Sequence, residues 1–318
     1  MSKWVDDSAF NSFREQKKTE DENRSSGGND RMSVVWKTPE KGTVDRAKVY
    51  EGRFLMDPKG VPYQSYLYHM FKNSSGEGWH FSLCPKTYDM SNYCPWCSVV
   101  SKLYSSGSKA DNKMAYNYKR KPRFCGNWYV VKDPRDSEAD AENKAEGNVF
   151  VYEFPGKVES KLKTEVTDEE NGYGKSIFDP GDNGVNFIIR VKSTKPDENG
   201  KVFPDYSDSV FARKPSALGS DDEIEEIMKN RYDLKEHLKK MEATEDKIIA
   251  AIKGEMMWDL IEDEYERMSG SSVPSTSVEQ KDTTQEEKKE ESTTSDSNTD
   301  DDMSEQDLLN ELENMGME

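Results

Sequence analysis

Residues 127–132 read Asn127, Trp128, Tyr129, Val130, Val131, Lys132. Aromatic and β-branched side chains in so short a run suit a pleated, buried strand. Runs of the same kind recur at 33–37, Lys48–Leu55, 65–71, Trp79–Leu83, Val149–Phe154 and 186–192. Clusters of Pro, Gly, Asn and Asp at 57–60, 179–183 and 196–200 separate them, and these are turn chemistry. Many short strands with few helices predict a mainly-β fold, a small barrel or a sandwich. A helix is expected at 97–104, directly after a cysteine pair.

Outward from this region the composition changes. The 318-residue chain carries a net charge of −18, with 33% hydrophobic and 34% charged residues. Residues 279–318 alone hold 15 acidic and 3 basic groups, whereas 31–215 are mildly basic. Only 31–215 are apolar enough to build a core. Residues 1–30 read as a polar arm with a short helix from Ser8, since Phe10 and Phe13 would share a face. Two helices are expected over 221–242 and 244–267, where Ile224, Ile227, Ile248 and Ile252 fall at helical spacing. This gives a helical segment, 216–268, packed on the core. Residues 269–318 form a disordered acidic tail. Near its end Leu308, Leu309 and Leu312 make one apolar face that would fold on a partner. No apolar run approaches the roughly 18 residues of a membrane span. The first residues, MSKWVDD, have no apolar signal segment, so the expected compartment is the cytoplasm, where thiols stay reduced.

Cys94, Pro95, Trp96 and Cys97 form a C-x-x-C knuckle, and Cys84 lies ten residues upstream. Three thiolates and one imidazole complete a tetrahedral, closed zinc site, which is structural rather than catalytic. His69 and His80 both precede Cys84 closely enough to be the fourth ligand. A redox pair is the alternative, but the βαβ setting of such pairs is missing. Cys125 stands apart and reads as a small packed side chain.

Residues 101–132 hold eight basic groups (Lys102, Lys109, Lys113, Lys119, Arg120, Lys121, Arg123 and Lys132) against one acid, Asp111. Tyr104, Tyr116, Tyr118, Phe124, Trp128 and Tyr129 are interleaved with them. Cations neutralise phosphates, and aromatic faces stack on unpaired bases whatever their identity. In a duplex those faces are already occupied, so the combination favours single strands. A solvated face would account for the charge alone, and a core strand for Trp128 and its neighbours. Two other readings stay open: a zinc-ribbon adaptor that binds proteins, and a zinc-dependent nuclease. The nuclease needs an open metal position or paired carboxylates, and neither is visible, so the reading is not an enzyme.

These blocks resemble the family of T-even-type phage helix-destabilising proteins, the gene 32 proteins. Arg53–Phe54–Leu55 is similar to a family R-F-L. His69 through Cys97 resembles its H…C…C-P-x-C subdomain. Asp111–Asn112–Lys113, Lys119–Arg120–Lys121 and Val130–Val131–Lys132–Asp133–Pro134 resemble its D-N-K, K-R-K and V-V-K-D-P. The string at 307–312 is similar to the end of the family's acidic tail.

The resemblance implies an OB-fold-like barrel over 31–215 with a zinc subdomain inserted at about 65–105. It implies one zinc ion on His69, Cys84, Cys94 and Cys97. It also implies DNA contacts at Arg53, Trp79, Tyr104, Lys119, Arg120, Lys121, Phe124 and Phe187. Tyr116 is added because Ala115 stands where the family has a tyrosine. Function would be cooperative coating of single-stranded DNA in phage replication, recombination and repair, in the host cytoplasm. Residues 1–30 would self-associate along the strand. The tail would recruit a polymerase, helicase loader and recombination mediator. The arm's basic Ser/Thr motif has only Lys17–Lys18–Thr19 and Arg24–Ser25–Ser26 as counterparts.

Overall fold

The computed structural model describes residues 8, 10–12, 14, 34–76, 78–137, 144–197 and 200–269. The acidic tail with Leu308, Leu309 and Leu312, and most of 1–30 including Phe13, lie outside the described residues. The chain divides into two compact units, Met1–Leu260 and Ile261–Glu318.

The first unit is built on an antiparallel sheet. Its strands are β1 (Lys48–Leu55), β2 (Gln64–Lys72), β3 (Trp79–Leu83), β4 (Lys121–Lys132), β5 (Val149–Phe154), β6 (Phe187–Ser193), β7 (Pro204–Asp205) and β8 (Val210–Phe211). They run in the order β3-β2-β4-β1-β6-β7, with β5 on β4 and β8 on β6. Residues 127–132 are thus the second half of a 12-residue strand. That strand is the hub. Its first half pairs with β2, its second half with β1, and its other edge with β5. Of the run at 33–37, the described residues 34–37 make a single bridge, Val35 to Val151.

β4 is buried on both faces. Phe124, Trp128 and Val130 join Tyr50, Phe54, Tyr152 and Phe187 in the main aromatic core. Cys125 faces the other way, into a second cluster with Tyr66, Val151, Leu234 and Leu238. Period-two alternation makes this division. At the centre, Trp128 lies edge-on to Phe54 at 4.8 Å, with Trp36 at 5.6 Å and Tyr152 at 5.5 Å. Gly52 leaves room for the indole, since a Cβ there would fall 2.5 Å from the ring.

Two helices were not expected. α2 (Lys109–Tyr118) follows α1 (Pro95–Ser105), and its N-cap Ser108 accepts from Asp111 N. α3 (Gly156–Thr167) packs Val158, Leu162 and Val166 on the main core. Residues 8, 10–12 and 14 are helical, and Phe10 is buried against Phe178 at 6.2 Å.

The long helix expected at 221–242 is broken into α4 (Asp221–Lys229) and α5 (Leu234–Lys239). Ser220 and Glu223 form a capping box on α4. Asp233 restarts the chain by accepting from Lys235 N and Glu236 N. The helix expected at 244–267 stops at Gly254, as α6 (Glu245–Gly254). Met256 takes a left-handed φ of 57°, and Met257 N donates back to Ile252 O at 3.0 Å. This closes a Schellman-type turn with methionine where glycine is usual. The second unit's described part is α7 (Glu262–Ser269), whose Tyr265 N bonds Ile261 O. The fold is therefore mainly β, an antiparallel sheet with a Cys3His subdomain and C-terminal helices.

Candidate metal centre and nucleic-acid interface

The β2–β3 hairpin and α1 carry the cluster. His69 sits on β2 opposite Ser82. Cys84 follows β3 and precedes a single 3-10 turn, Pro85–Thr87. Cys94 is the N-cap of α1, Pro95 opens that helix, and Cys97 lies in its first turn. One ligand atom from each of His69, Cys84, Cys94 and Cys97 lies within 4.8 Å of the others.

These spacings suit a tetrahedral ion. Cys84 Sγ and Cys97 Sγ are 3.7 Å apart, with His69 Nε2 3.4 Å from Cys94 Sγ and 3.7 Å from Cys97 Sγ. A tetrahedron with metal–sulfur bonds of about 2.3 Å has edges of about 3.8 Å. A disulfide would need sulfurs about 2.0 Å apart, and all four cysteines are free thiols. His69 Nδ1–H donates to Tyr118 O at 2.8 Å, leaving Nε2 with its lone pair toward the sulfurs. Arg120 Nη1 stands 4.0 Å from Cys97 Sγ, where its charge would offset the net negative charge of three thiolates and a neutral imidazole around a dication. Hydrogen bonds from Cys84 and then Cys94 hold the Cys97 thiol below its ordinary range. The donor set fits zinc, and the four residues would hold it with no position left for a substrate.

His80 is excluded from this group. Its Nε2 accepts from Trp96 Nε1 at 3.2 Å and lies 3.0 Å from Ser82 Oγ. Burial, then the neighbouring His69, pushes its pKa down to about 4. Behind the cluster, Tyr118 stacks on Trp96 at 5.3 Å and stands edge-on to Phe71 at 4.5 Å.

The expected DNA contacts divide into two groups. Trp79 is 65% exposed and Tyr104 44%. Lys119, Arg120 and Lys121 are partly exposed at the junction of α2 and β4. Lys119 Nζ rests 3.9 Å over the ring of Tyr116, itself nearly buried, and Lys121 Nζ donates to Met70 O at 3.3 Å. Lys72 pairs across the hairpin with Trp79 and is exposed, a basic neighbour that sequence reading passed over.

Arg53, Phe124 and Phe187 belong elsewhere. All three are fully buried. Phe124 packs between Tyr63 and Phe154, and Phe187 between Phe54 and Phe211. A ring in that position has no face to offer a base. Arg53 donates through Nε to Asn186 Oδ1 at 2.9 Å, through Nη2 to Ser216 O at 2.8 Å, and through Nη1 to Asp179 O. Burial lowers its pKa to about 10, with Asp179 and Glu51 opposing. It staples two loops to β1 instead of meeting a phosphate. Gly184 makes room for it, because a Cβ there would collide with Nη1.

Among the described residues no helix is long and apolar enough to cross a membrane. No curated protein matches the chain. The family described as gp32 DNA binding protein like matches residues 52–254, from the glycine under Trp128 to the end of α6. That match spans more than half of the sequence and takes in the whole Cys3His cluster and the basic run, so the chain belongs to the gp32-like family of DNA-binding proteins.

Proposed function

We propose that this protein binds single-stranded DNA without regard to sequence, coating and protecting it during phage replication, recombination and repair. The observation that carries the reading is a juxtaposition. The Cys3His cluster joins the hairpin bearing the exposed Trp79 to α1, and its His69 bonds the carbonyl oxygen of Tyr118, the last residue before Lys119–Arg120–Lys121. Cations there meet the sugar–phosphate backbone, and Trp79 and Tyr104 offer faces to unpaired bases. Zinc, one ion per chain on His69, Cys84, Cys94 and Cys97, supplies rigidity and takes no chemical part.

Two further elements complete the proposal. The arm at 1–30 contacts the next protomer along the strand. The tail at 269–318 competes with DNA for the cationic surface. Once displaced, it presents Leu308, Leu309 and Leu312 to a polymerase, helicase loader or recombination mediator. A tail with 15 acidic and 3 basic groups over 279–318 makes that competition physically natural.

Titration of a fluorescent oligo-dT tests the reading. Binding is expected to be tight, salt-sensitive and tolerant of sequence, weak on duplex and free of cleavage. The double variant Lys119→Glu, Lys121→Glu should lose affinity and flatten the salt dependence by about 0.7 in slope for each phosphate contact removed. Unchanged oligonucleotide affinity in that variant would sink the proposal. Failure of the wild-type protein to bind any oligonucleotide would favour a protein-binding zinc adaptor.

A further inference from the structure

The C-terminal end of α6 reaches both halves of the interface just described through one side chain. Glu255 is buried although it follows Gly254 at the helix end. Its Oε1 accepts from Ser74 N at 2.9 Å, and its Oε2 accepts from Tyr118 Oη at 2.7 Å. Ser74 lies in the loop between β2 and β3, five residues before Trp79. Tyr118 is the last residue of α2, directly before Lys119. One carboxylate therefore ties the loop that leads to the exposed indole to the residue that leads to the cationic run.

The backbone at this point is arranged around that contact. Met256 adopts its φ of 57° while 88% exposed, a conformation that a side chain other than glycine seldom takes. Nothing about an exposed methionine calls for it. Its effect is to end α6 so that Glu255 and Met257 on either side are both buried. Tyr118 is constrained from three more directions: its carbonyl accepts from His69 Nδ1, and its ring lies against Trp96 and Phe71.

We infer that Glu255 is a positioning residue for DNA binding, fixing the stacking platform at Trp79 relative to the phosphate contacts at Lys119–Lys121. The inference rests on the single-stranded DNA reading above. It assigns a role in that reading to α6, an element with no surface of its own in the interface.

The test uses full-length, zinc-loaded protein and two ligands of equal length, oligo-dT and an abasic sugar–phosphate oligomer. Stacking contributes only to the first. The ratio of the two affinities therefore reports how well base and phosphate contacts are held in register. Glu255→Leu should lower that ratio about tenfold, the worth of one stacked base, with zinc content unchanged. Tyr118→Phe breaks one of the two bonds and keeps the ring, and should lower it by a smaller factor. Glu255→Gln should largely restore it, because the amide can accept from Ser74 N–H and donate to the Tyr118 oxygen. Should Glu255→Leu fail to hold zinc, Tyr118→Phe decides. An unchanged ratio, or a parallel fall in both affinities, overturns the inference and leaves Glu255 a merely structural residue. Wild-type protein that binds neither oligomer would overturn the DNA-binding reading itself, and this inference with it.

Discussion

Around Trp128 the chain packs ring on ring, with Trp36, Phe54 and Tyr152 within 5.6 Å and the indole fully buried. Around Cys97 it packs three sulfurs and an imidazole, backed by Phe71, Trp96 and Tyr118. The first region draws on strands from Lys48 to Ser193 and on α3. The second is nearly all contained between Gln64 and Tyr118. A large apolar core holds itself by burial. A short segment of one hairpin and two helices buries far less, and a metal held by the Cys3His cluster would supply the missing tie. Both regions meet on β4, which begins at Lys121 beside the cluster and passes through the aromatic core at Phe124, Trp128 and Val130.

Removing the metal should produce the largest effect and confine it to one side. Structural zinc contributes on the order of 10–16 kcal/mol in small zinc domains at neutral pH. Chelation, or Cys94→Ser, is expected to expose residues from β3 through α2 to protease and to rapid amide exchange. Strands β1, β5 and β6 should stay protected. Purified protein should contain one zinc per chain. Full protection of α1 and α2 in metal-free protein would mean that Trp96 and its ring neighbours suffice, and the contrast between the regions would disappear.

The core side breaks by truncation. Trp128→Ala should cost about 3–5 kcal/mol by leaving a cavity among rings that cannot collapse far. Zinc content should be unaffected. Among the described residues Trp128 Nε1 has no hydrogen-bond partner. Trp128→Phe therefore removes an unsatisfied donor along with volume, and should cost less than half as much as the alanine. Equilibrium denaturation of the two variants checks this. Equal costs would show that a phenyl ring recovers none of the packing that the indole provides.

What could be read from the chain beforehand follows the same division. The strands were legible because alternation and β-branched residues mark them, but only the second half of β4 was placed, its first half being disguised by charge. The helix α3 was missed although Val158, Leu162 and Val166 stand at four-residue spacing. The helix α2 was missed because its lysines hide Ala115, Tyr116 and Tyr118. The breaks after Lys229 and Gly254 depend on Asp233 and Met256, and no local propensity marks a methionine for a left-handed turn. In the metal cluster the cysteines were legible from spacing. The imidazole was not, since only the bonds of His80 to Trp96 and Ser82 show it to be engaged elsewhere. Arg53, Phe124 and Phe187 were assigned to DNA through the family resemblance. A resemblance between short motifs does not say which side of the pleat a side chain takes. Glu255 is one acid in an acid-rich segment, and nothing in its surroundings in the sequence sets it apart.

Acid should separate the two regions by the smallest but cleanest effect. Zinc ligands must be deprotonated, so acidification releases the metal and loosens the insertion. The core answers to a carboxyl instead. Asp133 is buried next to Trp36 and accepts from Trp36 Nε1 at 3.1 Å and from Arg135 Nε at 2.8 Å. Burial pushes its pKa up, but the hydrogen bonds and charge of Arg135, with Trp36, bring it net below the ordinary 3.8. The folded state therefore takes up this proton less readily than the unfolded chain. Its contribution is fully present above about pH 4 and is lost as pH falls through the folded value. Two acid transitions are expected, zinc release at the higher pH and loss of core stability below it. Asp133→Asn should lower stability at neutral pH and flatten its decline below about pH 4 while leaving zinc release where it was. A variant in which both transitions move together would show that β4 couples the two regions too tightly for either to be treated alone.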